Sequence, residues 1–340
     1  MRVLVTGASG MLGRAVAVQL RDEGHEVTTM QRSASGIAGV TDALGSITDD
    51  TAVERAVVGM EGVVHLAAKV SLSGAEAEFE AVNIAGTERL VEQAKAAGAT
   101  RFVMVSSPSV AHFGAAIHGA GADEARPDLA HGSYARTKAE AELRALAADS
   151  PDFAVVAVRP HLVWGPGDTQ LVARILDRAT RGTLPLLGRG AALIDSCYVD
   201  NAASGIAAAL RRAPVAHGNS YVITNGEPRT VAELMEGICR AGGAPPPRLR
   251  VPAVIARAAG SLIEGVWRIR PGQDEPPMTR FLAEQLSTAH WFDQRRTRAD
   301  LDWTPAVSLE EGLQRLTDHT AGSASGSGSH SGSGSGRERR

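Results

Sequence analysis

The chain has little cysteine, little lysine, few aromatic residues and no excess of charge of either sign. Two cysteines, Cys197 and Cys239, stand in 340 residues. They build no disulfide framework, and their spacing matches no zinc site. A reducing, cytoplasmic setting is the expectation. The 35 basic and 38 acidic residues leave a net charge of −3, so no broad positive field draws the chain to nucleic acid or to an anionic membrane. Apolar runs long enough to span a bilayer are missing as well. The most apolar segment, 251–269, carries Arg257, Glu264 and Arg268, which makes it a poor span. It reads as a helix over an apolar substrate pocket, with an interfacial membrane helix as the alternative. The opening MRVLVTGASG has an apolar run too short for a signal-peptide core and reads directly into structure. The histidines and acids show no metal-ligand spacing, so no metal is expected.

What is present alternates. Short apolar runs at 2–6, 26–31, 62–67, 101–106 and 154–159 are separated by amphipathic stretches at 11–23, 81–97 and 134–148. Unbroken Val/Leu-rich strands between helices predict an α/β fold: a Rossmann-type, doubly wound parallel sheet covered on both faces. A nucleotide-binding core over 1–160 is expected. Past Pro160 the pattern loosens, punctuated by Gly165-Pro166-Gly167 and Pro245-Pro246-Pro247. One late strand, 220–224, is expected to return to the main sheet. The region 161–319 then completes that sheet and forms a smaller C-terminal substrate lobe. Residues 320–340 are expected to be a disordered tail, since 323–336 is almost all Gly and Ser.

The first strand runs into Thr6-Gly7-Ala8-Ser9-Gly10-Met11-Leu12-Gly13 and then a helix. Gly7 permits a tight turn, Gly10 lets a pyrophosphate approach the backbone, and Gly13 lets the helix close on the strand. The helix N-terminus offers free N–H groups to phosphate, here those of Ser9, Met11 and Leu12. In NAD-binding sheets an acid near the end of the second strand takes the ribose hydroxyls. Here that place reads Gln31-Arg32-Ser33. Arg32 offers a 2′-phosphate a bidentate fork, which favours NADPH over NAD.

Tyr134 and Lys138 stand four apart at the start of a predicted helix, so phenol and ammonium share one face. Carbonyl reduction needs a hydride and a proton for the developing alkoxide. A tyrosine titrating near 10 is a poor acid/base at neutrality unless an ammonium and an oxidised nicotinamide favour its phenolate and lower its pKa. With three tyrosines and three lysines (Lys69, Lys95, Lys138) in the chain, a Tyr-to-Lys step of four arises by chance roughly 0.03 times. The strand 101–106 ends in Ser106-Ser107-Pro108-Ser109, at the edge where parallel sheets meet ligands. Ser107 is the candidate that fixes the substrate oxygen; Ser106 and Ser109 are the fallbacks. His65 reads as structural. His112 and His161 follow strands that end at the site and either meet a substrate carboxylate or serve the core.

These motifs resemble the extended short-chain dehydrogenases/reductases, from Met1 to about Thr317. Asn83-Ile84-Ala85-Gly86-Thr87 resembles the family's NxxGT helix, which implies that Asn83 belongs with the catalytic Ser107, Tyr134 and Lys138. His65-Leu66-Ala67-Ala68 resembles the strand lining the adenine-ribose side, which implies cofactor contacts at Leu66, Ala67, Ala68 and Lys69. Arg159-Pro160-His161-Leu162-Val163 resembles the segment at the nicotinamide end, implying contacts at Pro160, His161, Leu162 and Val163. The family often has Gly-Asp after the third strand; here it is Gly45-Ser46, so adenine recognition falls to backbone groups at Ser46 and Ile47. Within the family the chain is most similar to the 3β-hydroxysteroid dehydrogenase-like group, and in it to the bacterial reductases of long-chain olefin biosynthesis. The resemblance implies NADPH-dependent reduction of a 2-alkyl-3-oxoalkanoate, a hydrophobic small molecule, with Tyr134 as proton donor. It also implies a homodimer through the helices at 81–97 and 134–148, and contact with pathway enzymes or a membrane surface. The alternatives are an NAD-dependent hydroxysteroid or sterol dehydrogenase, a sugar-nucleotide epimerase or reductase, and a non-catalytic NADP(H)-sensing protein. Retention of the Tyr/Lys pair argues against the last.

Overall fold

The computed structural model describes residues 1–71, 74–252, 255 and 287–326. The segment expected to cover an apolar pocket, 251–269, lies almost wholly outside the described residues.

Seven strands make the central sheet: β1 (Arg2–Thr6), β2 (Glu26–Gln31), β3 (Thr41–Leu44), β4 (Gly62–His65), β5 (Arg101–Val105), β6 (Ala154–Pro160) and β7 (Asn219–Ile223). Their order is β7-β6-β5-β4-β1-β2-β3, and every neighbouring pair is parallel. β7 pairs with β6 from Asn219 to Ile223, so the late strand does rejoin the sheet. The two-residue period of a strand sends side chains alternately to two cores. Val3 and Val5 pack under α1 (Met11–Asp22) and α7 (Val199–Ala216), while Leu4 packs with α2 (Asp50–Val57), α4 (Gly86–Ala96) and α5 (Gly132–Ala147). Chain order reverses direction at β1/β4, which opens the crevice where such sheets bind ligands.

Some elements depart from the expectation. β3 carries no apolar run; its residues are mostly exposed, so periodicity had nothing to read there. Helix α2 is short, and its clearest mark is a local one, the Asp49 carboxylate accepting from Ala52 N at 3.2 Å. The helix expected at 81–97 is composite. It opens with α3 (Glu76–Phe79), passes through a π-helical turn at Glu80–Ala85, and continues as α4. The C-terminal helix α10 (Leu309–Gly326) runs past the boundary expected at 319/320. The helix continues to Gly326 and so takes in the first residues of the Gly/Ser stretch.

The smaller lobe packs α6 (Val172–Thr180), α8 (Val231–Ala241) and α10 around Trp164, Tyr198 and Ile238. A four-stranded sheet joins Ile117–Ala120, His290–Phe292, Leu193–Ile194 and Arg229–Thr230. It stands beside the C-terminal edge of the central sheet and brings residues far apart in sequence to the crevice. Between β7 and the lobe, α9 (Arg295–Leu301) packs against α7.

One buried ion pair ties these layers together. Arg159 at the end of β6 and Glu142 on α5 are each 1% exposed. The guanidinium grips Glu142 through Nη2 at 2.5 Å and Nε at 3.0 Å, and donates to the Asp123 carbonyl at 2.6 Å. Ser220 on β7 donates to the same carboxylate at 2.8 Å. Removing one partner of such a pair strands a buried charge, at a cost of about 3–5 kcal/mol. Arg159→Leu should therefore lose stability of that order in denaturant unfolding, and Glu142→Leu added to it should recover most of the loss. A change under about 1 kcal/mol for the single variant would contradict the reading.

Candidate active site

The phosphate cradle forms where β1 meets α1. Gly7 has φ +81°, and a Cβ there would sit 2.8 Å from Ala67 N. Gly13 faces the Gly7 carbonyl, which a Cβ would meet at 2.2 Å. These two glycines are required by packing alone. Gly10 is different: a Cβ there would find only Gly7 O, at 3.7 Å. Gly10 is also the N-cap of α1, with no side-chain cap and no acid in the first turn. An uncapped N-terminus with open space above it fits a pyrophosphate. Ser9 is exposed and Met11 and Leu12 half-buried beside that opening.

On the adenine-ribose side Arg32 stands exposed just after β2. The loop behind it is held from two sides. Arg14 donates to the carbonyls of Ser35 and Gly36, and Asp42 accepts from Ser35 N, Thr29 and Gln31. Those bonds, Thr29's foremost, hold the Asp42 carboxyl below its ordinary range. Among the described residues Arg32 has no ion-pair partner, so its guanidinium is available. Ser46 pairs its hydroxyl with Thr48 at 2.8 Å. The Ile47 side chain is buried against Gly86, which leaves only its backbone for a ligand.

A buried chain of hydrogen bonds connects this cradle to the catalytic helix. Thr87 Oγ1 donates to Asn83 O at 2.6 Å, so it accepts from His65 Nε2 at 2.9 Å. His65 Nδ1 therefore accepts from Thr6 Oγ1 at 2.8 Å, and Thr6 Oγ1 accepts in turn from Leu66 N and Ala67 N. Burial, with Lys138 nearby, pushes His65 down to about 3, consistent with this neutral, structural ring. Asn83 sits in the π turn. Its Oδ1 accepts from Lys69 N at 2.7 Å, and its Nδ2 donates to Lys69 O at 3.2 Å and Thr137 Oγ1 at 3.0 Å. With both amide hydrogens donated inside the protein, Asn83 braces the Lys69 backbone against Thr137 on the helix of Tyr134. Lys69 is fixed through its backbone, while its ammonium pairs with Glu78 at 2.7 Å. Ala68 lies in the same half-buried run between β4 and Lys69.

Ser107, Tyr134 and Lys138 come together at the C-terminal edge of β5. Tyr134 and Ser107 both line one cavity, and the Ser107 hydroxyl stands close enough to act on the phenol. Ser107 Oγ also accepts from Ser109 N at 3.2 Å and Ser109 Oγ at 2.9 Å. Ser106 points elsewhere; its buried hydroxyl has no partner. Lys138 is 3% exposed and donates to Val105 O at 2.7 Å. Burial lowers Lys138 to about 8, against a smaller opposing pull from Glu142. In the protein alone, burial pushes the Tyr134 phenol up to about 12, and the Ser107 hydroxyl opposes this only partly. The expected lowering includes an oxidised nicotinamide, which lies outside this balance.

Beyond this pair lies a cavity of about 170 Å³, lined by Ser107, Pro108, Ser109, His112, Ile117, Tyr134, His161, Leu162, His290 and Phe292. Pro160 is buried at the end of β6, and Val163 packs against the cores on both sides of the junction. Leu162 between them has φ +45°, a left-handed conformation rare for a non-glycine residue and typical of strained functional turns. Ile117, His290 and Phe292 had no signal in the sequence; the lobe sheet alone brings them here. Among the described residues no three His, Cys, Asp or Glu side chains converge as metal ligands do, and no helix is long and apolar enough to cross a membrane.

Two outcomes follow from this geometry. Ser106→Ala should leave activity near wild type and Ser107→Ala should cut turnover by about 10²-fold or more; equal losses would contradict the placement. The three tyrosines, Tyr134, Tyr198 and Tyr221, are all raised, mainly by burial. A raised pKa favours the protonated form in the fold. This stability is full below the unfolded value of about 10 and is lost as pH rises towards about 12. Absorbance at 295 nm should show less than half-ionisation at pH 10 in the folded protein, and a full phenolate step there would contradict the burial account.

Comparison with known proteins gives the family. Residues 3–224 match the model of the NAD dependent epimerase/dehydratase family. The chain is 40% identical over 329 residues to the 2-alkyl-3-oxoalkanoate reductase of Stenotrophomonas maltophilia, covering 94% of this chain and 100% of that one. It is 32% identical to a 3 beta-hydroxysteroid dehydrogenase/Delta 5-->4-isomerase of Mycobacterium tuberculosis, covering 92% and 88%. In structure it is similar to MoeE5 in complex with UDP-glucose and NAD, with a TM-score of 0.74 at 24% identity, over 95% of this chain and 100% of that one. At that identity the likeness speaks to fold alone. The chain belongs to the NAD dependent epimerase/dehydratase family, the extended short-chain dehydrogenases/reductases, and is an NAD(P)-dependent oxidoreductase of CH–OH/C=O groups.

Proposed function

We propose that this protein reduces 2-alkyl-3-oxoalkanoates to 2-alkyl-3-hydroxyalkanoates with NADPH. The observation that carries the chemistry is that the Ser107 and Tyr134 hydroxyls line one cavity, together with Pro108, Ser109, Ile117, Leu162, Phe292 and three histidines. The substrate class is supported by the relatives that bear that name, at 40% and 36% identity. The cavity is smaller than the ~300–1,000 Å³ usual for drug-sized ligands. It suits the reacting head of such a substrate and leaves the alkyl chains to lie beyond it.

Bound nicotinamide supplies the hydride. The chain's residues do the rest. Ser107 donates to the keto oxygen and holds it beside Tyr134. As negative charge grows on that oxygen, the phenol, kept protonated by burial, delivers its proton. Lys138 lies four residues along the same helix and near its own neutral point, placed to resupply that proton. One keto acid, one NADPH and one proton yield one hydroxy acid and one NADP+. The choice of NADPH rests on Arg32 and on the missing acid at the end of β2. An NAD-dependent 3β-hydroxysteroid dehydrogenase is the second reading, favoured by relatives of that name at 32% and 30% identity.

NADPH consumption against a panel of 2-alkyl-3-keto acids, 3-ketosteroids and a nucleotide-sugar tests the substrate class. The keto acids should be turned over fastest; preference for the steroids would overturn the reading. Tyr134→Phe should lower kcat by at least about 10²-fold with little change in NADPH affinity, and retained turnover would remove Tyr134 as proton donor. Arg32→Ala should weaken NADPH binding by about 10–100-fold, the worth of a charge-assisted contact, and leave NADH nearly untouched. Equal wild-type affinity for the two cofactors would contradict the NADPH assignment.

A further inference from the structure

The Ser-Pro-Ser order after β5 builds a turn. Pro108 opens the 3-10 turn Pro108–Ala111, and Ser107 is its N-cap. Proline presets the φ of a first helical position. Val110 N donates to Ser107 O at 3.2 Å, and the chain folds back so that Ser109 stands against the Ser107 side chain. Ser109 is 8% exposed and lines the cavity with Ser107 and Tyr134. The reduction takes nothing from it directly.

Ser109 makes two hydrogen bonds to one oxygen. Its backbone N–H donates to Ser107 Oγ at 3.2 Å, and its hydroxyl donates to the same atom at 2.9 Å. A serine hydroxyl has two lone pairs and one proton. Both lone pairs of Ser107 Oγ are therefore taken by one residue. Ser107 is left with its proton alone to offer, to the phenol oxygen or to a substrate oxygen beside it. It has no lone pair left for the phenol proton of Tyr134. A keto oxygen also has two lone pairs, one for each of these two protons.

We propose that Ser109 is a positioning residue for the reduction: by filling both lone pairs of Ser107 Oγ it directs the protons of Ser107 and Tyr134 to the keto oxygen. This rests on the reductase reading above and holds for any carbonyl substrate of the site. Ser109 acts through Ser107 and not on the substrate. Without its hydroxyl, one Ser107 lone pair opens. The Tyr134 proton then passes into a bond to Ser107 in place of the bond to the substrate, and the alkoxide forms with one donor fewer. Ser109→Ala isolates this effect, because it removes the hydroxyl and keeps the backbone N–H that caps the turn.

The test is NADPH-dependent turnover of the fastest carbonyl substrate of the panel by wild type, Ser109→Ala, Ser109→Thr, Ser107→Ala and the double variant Ser107→Ala/Ser109→Ala. Thermal unfolding and NADPH affinity, both expected near wild type, report on the fold and the cofactor site. Ser109→Ala should lower kcat about 5–10-fold, the worth of one hydrogen bond, and by less than Ser107→Ala does. Ser109→Thr keeps a hydroxyl on the same carbon and should recover most of the loss. In the Ser107→Ala background, Ser109→Ala should change kcat by less than about twofold, because the group it acts through is gone. An undiminished loss in that background makes the role structural and overturns the proposal. So does a wild-type kcat in Ser109→Ala, or no recovery in Ser109→Thr. A loss in Ser109→Ala as large as that in Ser107→Ala gives the substrate contact to Ser109 and overturns it too. These outcomes leave the reductase reading standing. Should Ser109→Ala fail to fold, Ser109→Cys, whose thiol is a weak donor, carries the comparison. A wild type that reduces no member of the panel overturns the reductase reading, and the positioning role with it.

Discussion

The run of buried hydrogen bonds from Thr6 through His65 and Thr87 to Asn83 and Thr137 is what the rest of the site depends on. It begins on the strand that feeds the phosphate cradle and ends on the helix that carries Tyr134 and Lys138. Every donor along it has an acceptor, and each proton position follows from the next. Buried polar networks rigidify when fully satisfied and are costly when broken. The π turn is the local irregularity that makes room for Asn83 to face two ways at once, and such turns are frequent at functional sites. The strand that feeds the glycine turn and the helix of Tyr134 and Lys138 are thus joined by one connected element.

Around this line, burial sets the chemistry. Desolvation acts in the same sense on Tyr134, Lys138, His161 and His290, favouring the neutral form of each. In the reductive direction that is the useful state for Tyr134, because the donor must hold its proton until the alkoxide forms. Lys138, lowered only to about 8, still carries most of its charge near neutrality. The Arg159–Glu142 pair is matched by Asp123 and Ser220.

Much of this was legible in the sequence. The glycine spacing marked the tight turn where β1 meets α1, and the i,i+4 Tyr–Lys step, unlikely by chance, marked the helix that carries both side chains. Both are local patterns that the fold merely displays. Ser107 was one of three neighbouring hydroxyls until the chain turn after β5 pointed it at Tyr134 and turned Ser106 away. For Asn83 the motif resemblance carried the position, and the structure adds its bonding partners, Lys69 and Thr137. The Lys138 ammonium donates to a strand carbonyl, Val105 O, a partner that spacing does not reveal. His290 had no sequence signal at all: it reaches the cavity through pairings with Ile117 and Ile194, contacts of long sequence separation. β3 was silent because an exposed edge strand needs no apolar run.

The central claim is hydride transfer to the third carbon of a 2-alkyl-3-keto acid at the Ser107–Tyr134 pair. The most direct measurement is mass spectrometry of the product formed from such an acid with NADPH deuterated at the transferring position of the nicotinamide. The account predicts a 2-alkyl-3-hydroxy acid with one deuterium at C3. It predicts none of that product from Tyr134→Phe on the same time scale. Product without label, or labelled product formed equally well by Tyr134→Phe, would contradict it.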